Sequence, residues 1–211
     1  MSQPIVYGPS YSTYTRSVRL ALEEKGVKHQ LTEIDILKGA HQQPPYSTRQ
    51  PFGKVPAFDH DGNTFYETSA ILRYIDEVFP NPPLMPKTAI ERARVNQVLS
   101  IVDSYGYTPS VTNLFIPRVL VPSLGGETDM EKVEAAKAPA TLFVKELERL
   151  LGSAQYYGGV SVSLADLHVL PVVTYLVATP EGKAIAENAP NLRTWLGRMQ
   201  KRASVQAMMP S

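Results

Sequence analysis

A chain of 211 residues, 43% apolar and 19% charged, is long enough for one large or two small domains with real cores. Its net charge of +1 supplies no basic field for nucleic acid or for an acidic membrane surface, so neither is an expected partner. Cysteine is absent, which excludes disulfides, thiolate metal sites and any cysteine nucleophile within the chain, so a reactive thiol must come from a ligand.

Met1-Ser2-Gln3-Pro4 lacks the basic region and long apolar core of a leader, and no apolar run reaches about 18 residues, so a soluble, cytoplasmic protein is expected. Ile5-Val6-Tyr7 reads as a strand, Thr15 to Lys25 as a helix closed by Gly26, and His29 to Ile34 as a second strand, together a βαβ unit. An irregular segment rich in Pro, Gln and Gly follows. Ala57-Phe58 and Thr64-Phe65-Tyr66 then flank the hairpin signal Asp61-Gly62-Asn63. From Thr68 a helix is expected, with Ile71, Leu72, Ile75, Val78 and Phe79 at helical spacing. The order βαβ then ββα predicts an α/β domain over residues 1–79, a small mixed sheet with helices packed on it.

Residues 80–87, Pro80-Asn81-Pro82-Pro83-Leu84-Met85-Pro86-Lys87, are denser in proline than a helix or central strand tolerates and read as a linker. Over 88–211 helical patterns dominate, at 88 to about 108, about 128 to 151, 164 to 178 and 190 to 203, which predicts an all-helical second domain. Pro109, Pro117 and Pro122 predict breaks or kinks in its first long helices. The side chains among them, including Tyr107 and Phe115, are either core or the lining of a malleable apolar pocket. Ser163-x-x-Asp166 reads as a capping box with Asp in the usual Glu place. In the helix it opens, Pro171 predicts a kink and His168 a packed or hydrogen-bonded histidine. His29, His41, His60 and His168 are scattered without ligand spacing, so no metal is expected.

Two stretches carry a ligand chemistry. X-Pro bonds are the only ones that adopt cis cheaply, and Val55-Pro56 stands just before the apolar Ala57-Phe58. A tight turn there leaves the backbone N–H and C=O of Val55 facing a groove, where an extended peptide can pair as an added strand. Glu67-Thr68 stands before the helical run, so a hydroxyl and the first backbone amides offer a carboxylate site, and Glu67 an acceptor for an ammonium group. Taken singly, each is a turn before a strand or a helix cap. Together and in this order they match the backbone and the free α-amino-acid end of a peptide ligand, for which glutathione is the obvious candidate.

Four ordered segments then carry a family likeness across almost the whole chain. They are Ser12-Thr13-Tyr14-Thr15-Arg16-Ser17-Val18 ending in Glu24-Lys25-Gly26; Asp35-Ile36-Leu37-Lys38-Gly39-Ala40-His41 running on to Pro51-Phe52-Gly53-Lys54-Val55-Pro56; Glu67-Thr68-x-Ala70-Ile71; and Ser163-Leu164-Ala165-Asp166-Leu167-His168. On these the chain resembles a cytosolic glutathione S-transferase of the serine type, closest to the phi class and its bacterial relatives. The resemblance implies a homodimer of thioredoxin-like N-terminal domains that bind glutathione as co-substrate, each followed by an all-helical C-terminal domain that supplies an acceptor pocket for a small electrophile. By that likeness His41 and Lys54 hold the glycine end of glutathione, Val55 pairs with its cysteinyl backbone, and Glu67 and Thr68 hold the γ-glutamyl end. Tyr11, Tyr14, Tyr107 and Phe115 are assigned to the acceptor pocket. Thr68 stands where the family usually has serine and Lys54 where this class often has glutamine. Tyr14 puts a bulky ring in the active loop, and Lys201-Arg202-Ala203-Ser204 lacks the family's common Arg-Pro tail.

The catalytic expectation is physical. A free thiol with a pKa of about 8.5 is mostly protonated at neutral pH, and its thiolate is the reactive form. Lowering that value by two units takes about 2.7 kcal/mol of preferential thiolate stabilisation. One hydroxyl donor at a helix N-terminus can supply this. Ser12 combines both features and would donate to the sulfur rather than attack anything itself. Without the resemblance, Ser12 reads as a helix cap, and the hydroxyls of Tyr7, Ser10, Tyr11, Thr13, Tyr14 and Thr15 crowd the same loop. The thiolate would serve conjugation, organic peroxide reduction or isomerisation of an unsaturated acid. The alternative is a glutathione-binding scaffold with little or no turnover, and a cysteine-dependent thiol transferase is disfavoured by the lack of cysteine.

Overall fold

A computed structural model describes residues 2–208. Two prolines bound its first strand: Ile5–Tyr7 (β1) lies between Pro4 and Pro9, which have no N–H to extend a ladder. Its parallel partner Gln30–Thr32 (β2) is therefore shorter than the sequence suggests, and His29, Glu33 and Ile34 fall outside it. Thr13–Glu24 (α1) connects the two and starts two residues earlier than expected, so Ser12 is itself the N-cap. Ala57–His60 (β3) pairs antiparallel with β1, and Asn63–Tyr66 (β4) antiparallel with β3, giving the strand order β2-β1-β3-β4. Asp61 and Gly62 take φ of 47° and 77° between β3 and β4, the two successive left-handed residues that a tight hairpin turn requires. Thr68–Val78 (α2) follows and lies against α1, burying Ile71, Leu72 and Ile75. The buried Lys25 ammonium, 2.5 Å from Asp76 and 2.6 Å from the Pro82 carbonyl, ties the end of α1 to α2 and to the segment beyond.

The chain divides into two compact units, one running to Pro83 and taken up again from Ala203, the other Leu84–Arg202. In the second, Ala89–Ile101 (α3) opens on a capping box in which Thr88 and Glu91 satisfy each other's backbone amides. The expected breaks at Pro109 and Pro117 do not occur. The helix widens instead into π turns over Val102–Gly106 and Thr108–Leu120, then closes with one α turn, Val121–Ser123 (α4). A proline removes an N–H and crowds the carbonyl four residues back, and a turn that bonds five residues back relieves both conflicts without leaving helical geometry.

Met130–Leu151 (α5), capped by Asp129, and Leu164–Val177 (α6) follow, and every residue of α6 from Leu164 to Val173 is buried. A helix apolar all round belongs at the centre of its unit. Its one carboxylate, Asp166, is fully enclosed. It accepts from the Tyr157 and Ser163 amides, the Ser163 hydroxyl and the Trp195 indole at 2.7–3.0 Å. Pro171 lies within α6 without interrupting it, and His168 is buried with Nε2 2.8 Å from Asp103. Pro180–Glu187 (α7) was not anticipated, while Pro190–Gln200 (α8) was; Ala203–Gln206 (α9) lies against α1 in the first unit.

Candidate active site

One row of the sheet organises the site. Tyr7 pairs with Ala57, and Ala57 with Tyr66, so the loop leaving β1, the approach to β3 and the exit of β4 share one end of the sheet. Ser12 lies on the first, Val55 on the second, and Glu67 and Thr68 on the third.

In the first loop, the Gly8 amide donates to Thr32 at 3.0 Å, and a Cβ on Gly8 would stand only 2.3 Å from the Thr15 hydroxyl oxygen. Only glycine lets this strand end cross so close over the first turn of α1. The Ser12 amide then closes a turn on the Pro9 carbonyl at 3.0 Å, and the half-buried Ser12 Oγ accepts from the Thr15 amide at 3.4 Å. Its lone pair serves the helix, while among the described residues its O–H proton has no acceptor. The group is thus a donor at the positive end of α1.

The competing hydroxyls are placed differently. Thr13 and Thr15 are buried. The Arg49 guanidinium lies 4.6 Å from the Tyr7 ring centre, and burial and then a bond to Asp59 hold the Tyr7 phenol above its ordinary pKa. Tyr11 is 40% exposed and Tyr14 half-buried.

The second loop is fixed by two residues that the sequence did not single out. Buried Tyr46 donates to the Lys54 carbonyl at 2.5 Å, and buried Gln50 accepts from the Lys54 amide at 3.0 Å. Both backbone groups of Lys54 are thereby turned inward. The next residue, Val55, precedes a cis Pro56, and among the described residues neither of its backbone groups is bonded. Nothing in a polar, proline-rich stretch marks Tyr46 or Gln50 for this role beyond their being large side chains that can be satisfied when buried. The Lys54 side chain is exposed. His41, half-buried in a short 3₁₀ turn at Ala40–Gln42, has an enclosed Nδ1 without a partner among the described residues. A Cβ on Gly53 would lie 3.9 Å from the His41 carbonyl oxygen, which places the two segments side by side. Replacing Gln50 with Ala frees the Lys54 amide and should weaken pairing of an extended peptide ligand with the Val55 backbone about five- to ten-fold, the loss of one hydrogen bond's positioning. Equal affinities of the variant and the wild-type protein for that ligand would refute the role.

At the third position Glu67 is the N-cap of α2 and holds φ of 68°, uncommon for a non-glycine residue. Its carbonyl accepts from Ala70 and Ile71, and its exposed carboxylate has no partner among the described residues. Thr68, buried, opens the helix beside it.

Of the remaining residues assigned from sequence, Phe115 lies on the second π stretch and Tyr107 between the two. Phe115 stacks on Tyr175 with ring centres 4.0 Å apart, and burial raises the pKa of Tyr107. Among the described residues no group of three or more His, Asp or Glu side chains is placed to hold a metal.

Residues 6–83 match the family described as glutathione S-transferase, N-terminal domain, and residues 133–198 the glutathione S-transferase, C-terminal domain. The chain belongs to the glutathione S-transferase family. It is 32% identical over 205 residues to glutathione S-transferase F6 of Arabidopsis thaliana, an alignment covering 97% of this chain and 98% of that one. Glutathione transferase F7 from Populus trichocarpa superposes with a TM-score of 0.85 at 28% identity, covering 97% of each chain. Glutathione S-transferase I from Mais, solved in complex with an atrazine glutathione conjugate, gives 0.83 at 27% identity, covering 98% of this chain and 96% of that one. The fold is thus the family's, a four-stranded thioredoxin-like domain followed by a helical one, and the relatives are of the phi class that the sequence resembles.

Proposed function

We propose that this protein activates the thiol of glutathione and transfers it, as the thiolate, to small hydrophobic electrophiles, with organic peroxides as a second acceptor. Ser12 carries the reading: a hydroxyl whose oxygen is engaged by the α1 amide of Thr15 and whose proton has no acceptor among the described residues. A sulfur placed there receives that proton as a hydrogen bond together with the positive end of the helix, the pair of effects that stabilises a thiolate over a thiol. His41 and Lys54 would hold the glycine carboxylate, Val55 the cysteinyl backbone, and Glu67 with Thr68 the γ-glutamyl ammonium and carboxylate. Residues 1–79 would thus serve glutathione, with 80–87 as linker, and 88–211 would supply acceptor contacts from Tyr107 and Phe115. Tyr11, on the Ser12 loop, and Tyr14, in the first turn of α1, are proposed to touch the acceptor. A thiol co-substrate stays reduced in the cytoplasm, where the same proposal places the protein. The plant relatives named above are transferases, which supports turnover over a scaffold role.

Ultraviolet titration of the wild-type protein saturated with glutathione should show a bound thiolate with a pKa about two units below the free thiol's value of about 8.5. Glutathione that binds but stays protonated would favour the scaffold, and no binding at all would overturn the ligand assignment.

The proposal includes a homodimer. Phe52 is 69% exposed and meets the 37% exposed Tyr66 edge-on at 6.0 Å between ring centres. An aromatic side chain so displayed is the anchor type that dominates interfaces, worth 2 kcal/mol or more, or about 30-fold in affinity. Phe52→Ser should shift sedimentation from dimer towards monomer, and an unchanged dimer at micromolar concentration would remove Phe52 from the interface.

A further inference from the structure

The Ser12 hydroxyl is only as well aimed as the loop that presents it. That loop, Gly8 to Ser12, is held at its corner by groups that the chemistry itself does not require. Ser10 is the first central residue of the turn closed by the Ser12 amide on the Pro9 carbonyl. Its amide donates to both oxygens of Glu33, at 3.1 and 3.2 Å, and its carbonyl accepts from Arg16 Nε at 3.0 Å. Glu33 follows the last residue of β2 and Arg16 lies on α1, so one residue of the turn is gripped from the sheet on one side and the helix on the other. Arg19, one helical turn beyond Arg16, lies within the field of Glu33 and of Glu23; burial lowers its guanidinium pKa and the two carboxylates oppose that.

We infer that Glu33 and Arg16 are positioning residues, which clamp Ser10 and thereby fix the direction of the Ser12 hydroxyl towards the glutathione sulfur. The inference rests on the role proposed above for Ser12. It assigns a use to an anion at the corner of this loop whose charge, offset in part by Arg19, opposes a nearby thiolate. Glu33 is tolerable there only if what it fixes contributes more than its charge takes away.

That opposition makes the test a matter of sign. If Glu33 acts through its charge alone, Glu33→Ala removes a repulsion and lowers the pKa of the bound thiol. If it acts by holding Ser10, the same change lets Ser12 drift, raises that pKa by up to about one unit and lowers kcat about ten-fold. Glu33→Gln keeps an oxygen that can accept from the Ser10 amide and should recover most of both values. The readouts are ultraviolet titration of glutathione bound to each holoprotein, kcat and KM, and a thermal melt to show that each variant is folded. A rise in pKa with Glu33→Ala that Glu33→Gln reverses, at unchanged KM for glutathione, supports the clamp. A fall or no change in pKa with Glu33→Ala overturns it, as does a Glu33→Gln protein no better than the alanine variant. Arg16→Gln, which loses the grip from the helix side, should raise the pKa in the same direction, and an unshifted value removes Arg16 from the clamp. Absence of a bound thiolate in the wild-type protein would instead be the failure of the Ser12 reading, visible before any Glu33 variant is compared.

Discussion

Asp166→Ala is expected to unfold the helical unit at ordinary temperature. The carboxylate is fully enclosed and takes four hydrogen bonds, from two backbone amides, one hydroxyl and one indole. Alanine leaves the two amides and the indole buried without an acceptor, at about 1–3 kcal/mol each after partial relaxation. It also takes away the capping box of α6, the helix around which the unit is built. A total loss of about 4–5 kcal/mol is comparable with the whole stability of many domains. Trp195, the chain's one tryptophan, donates to this very carboxylate, so its emission reports the site directly. The variant should emit at the red-shifted wavelength of a solvated indole without denaturant, or show a urea midpoint far below wild type. A midpoint corresponding to less than about 1 kcal/mol of change would mean that the network is not what holds α6 in place. Asp166→Asn keeps one acceptor oxygen but turns an amide towards donors, so it should fall between the two.

How much of this was legible in the sequence depended on the range of the interaction that decides each element. The hairpin turn at Asp61-Gly62, the helix from Thr68 and the capping box at Ser163 are settled within a few residues, and each is found where its local chemistry points. The length of β2 is settled by its neighbour: β1 is three residues long because Pro4 and Pro9 bound it, and no reading of 29–34 alone contains that limit. The prolines of the first long helix were read as breaks or kinks, whereas the helix runs on past Pro109 and Pro117 in π turns and takes Pro122 into an α turn. The resolution by π turns depends on packing over many residues, and a local rule does not include it. α7 carried a local signal, Thr179 capping Gly182 with Pro180 at the first helical position, but eight residues are too few for periodicity to show.

The candidate site divides in the same way. Val55, Glu67 and Thr68 were singled out by residue type and order, and Ser12 by the family resemblance. What aims them is not local in pattern: buried Tyr46 and Gln50 hold Lys54, and Glu33, just past β2, holds Ser10. Such supporting side chains are ordinary residues whose importance is visible only once their partners are.

Ser12→Ala should lower kcat for conjugation about 25-fold at pH 7 and about 100-fold below the depressed thiol pKa, the latter the full effect of about 2.7 kcal/mol from removing one preorganised donor to an anion. The pH dependence fixes the cause. The donor stabilises the thiolate and so depresses the thiol's pKa; its fold benefit is full below the depressed value, shrinks as pH rises from the depressed to the free value, and vanishes where glutathione ionises unaided, above about 8.5. The rate deficit of the variant should therefore shrink as pH rises through 8 and 9, while a deficit independent of pH would mean that Ser12 does something other than favour the ionised sulfur. Ser12 is also the N-cap of α1, and its loss costs about 1 kcal/mol of stability by itself. Ser12→Asp separates the two roles, since an aspartate caps the helix as well as serine but only accepts, and carries the sign that a thiolate repels. It should melt close to wild type and bind glutathione with a thiol pKa above even that of the alanine variant. If Ser12→Asp instead retained the activity of wild type, the cap alone would be what the reaction needs, and the hydroxyl's proton would have no part in it.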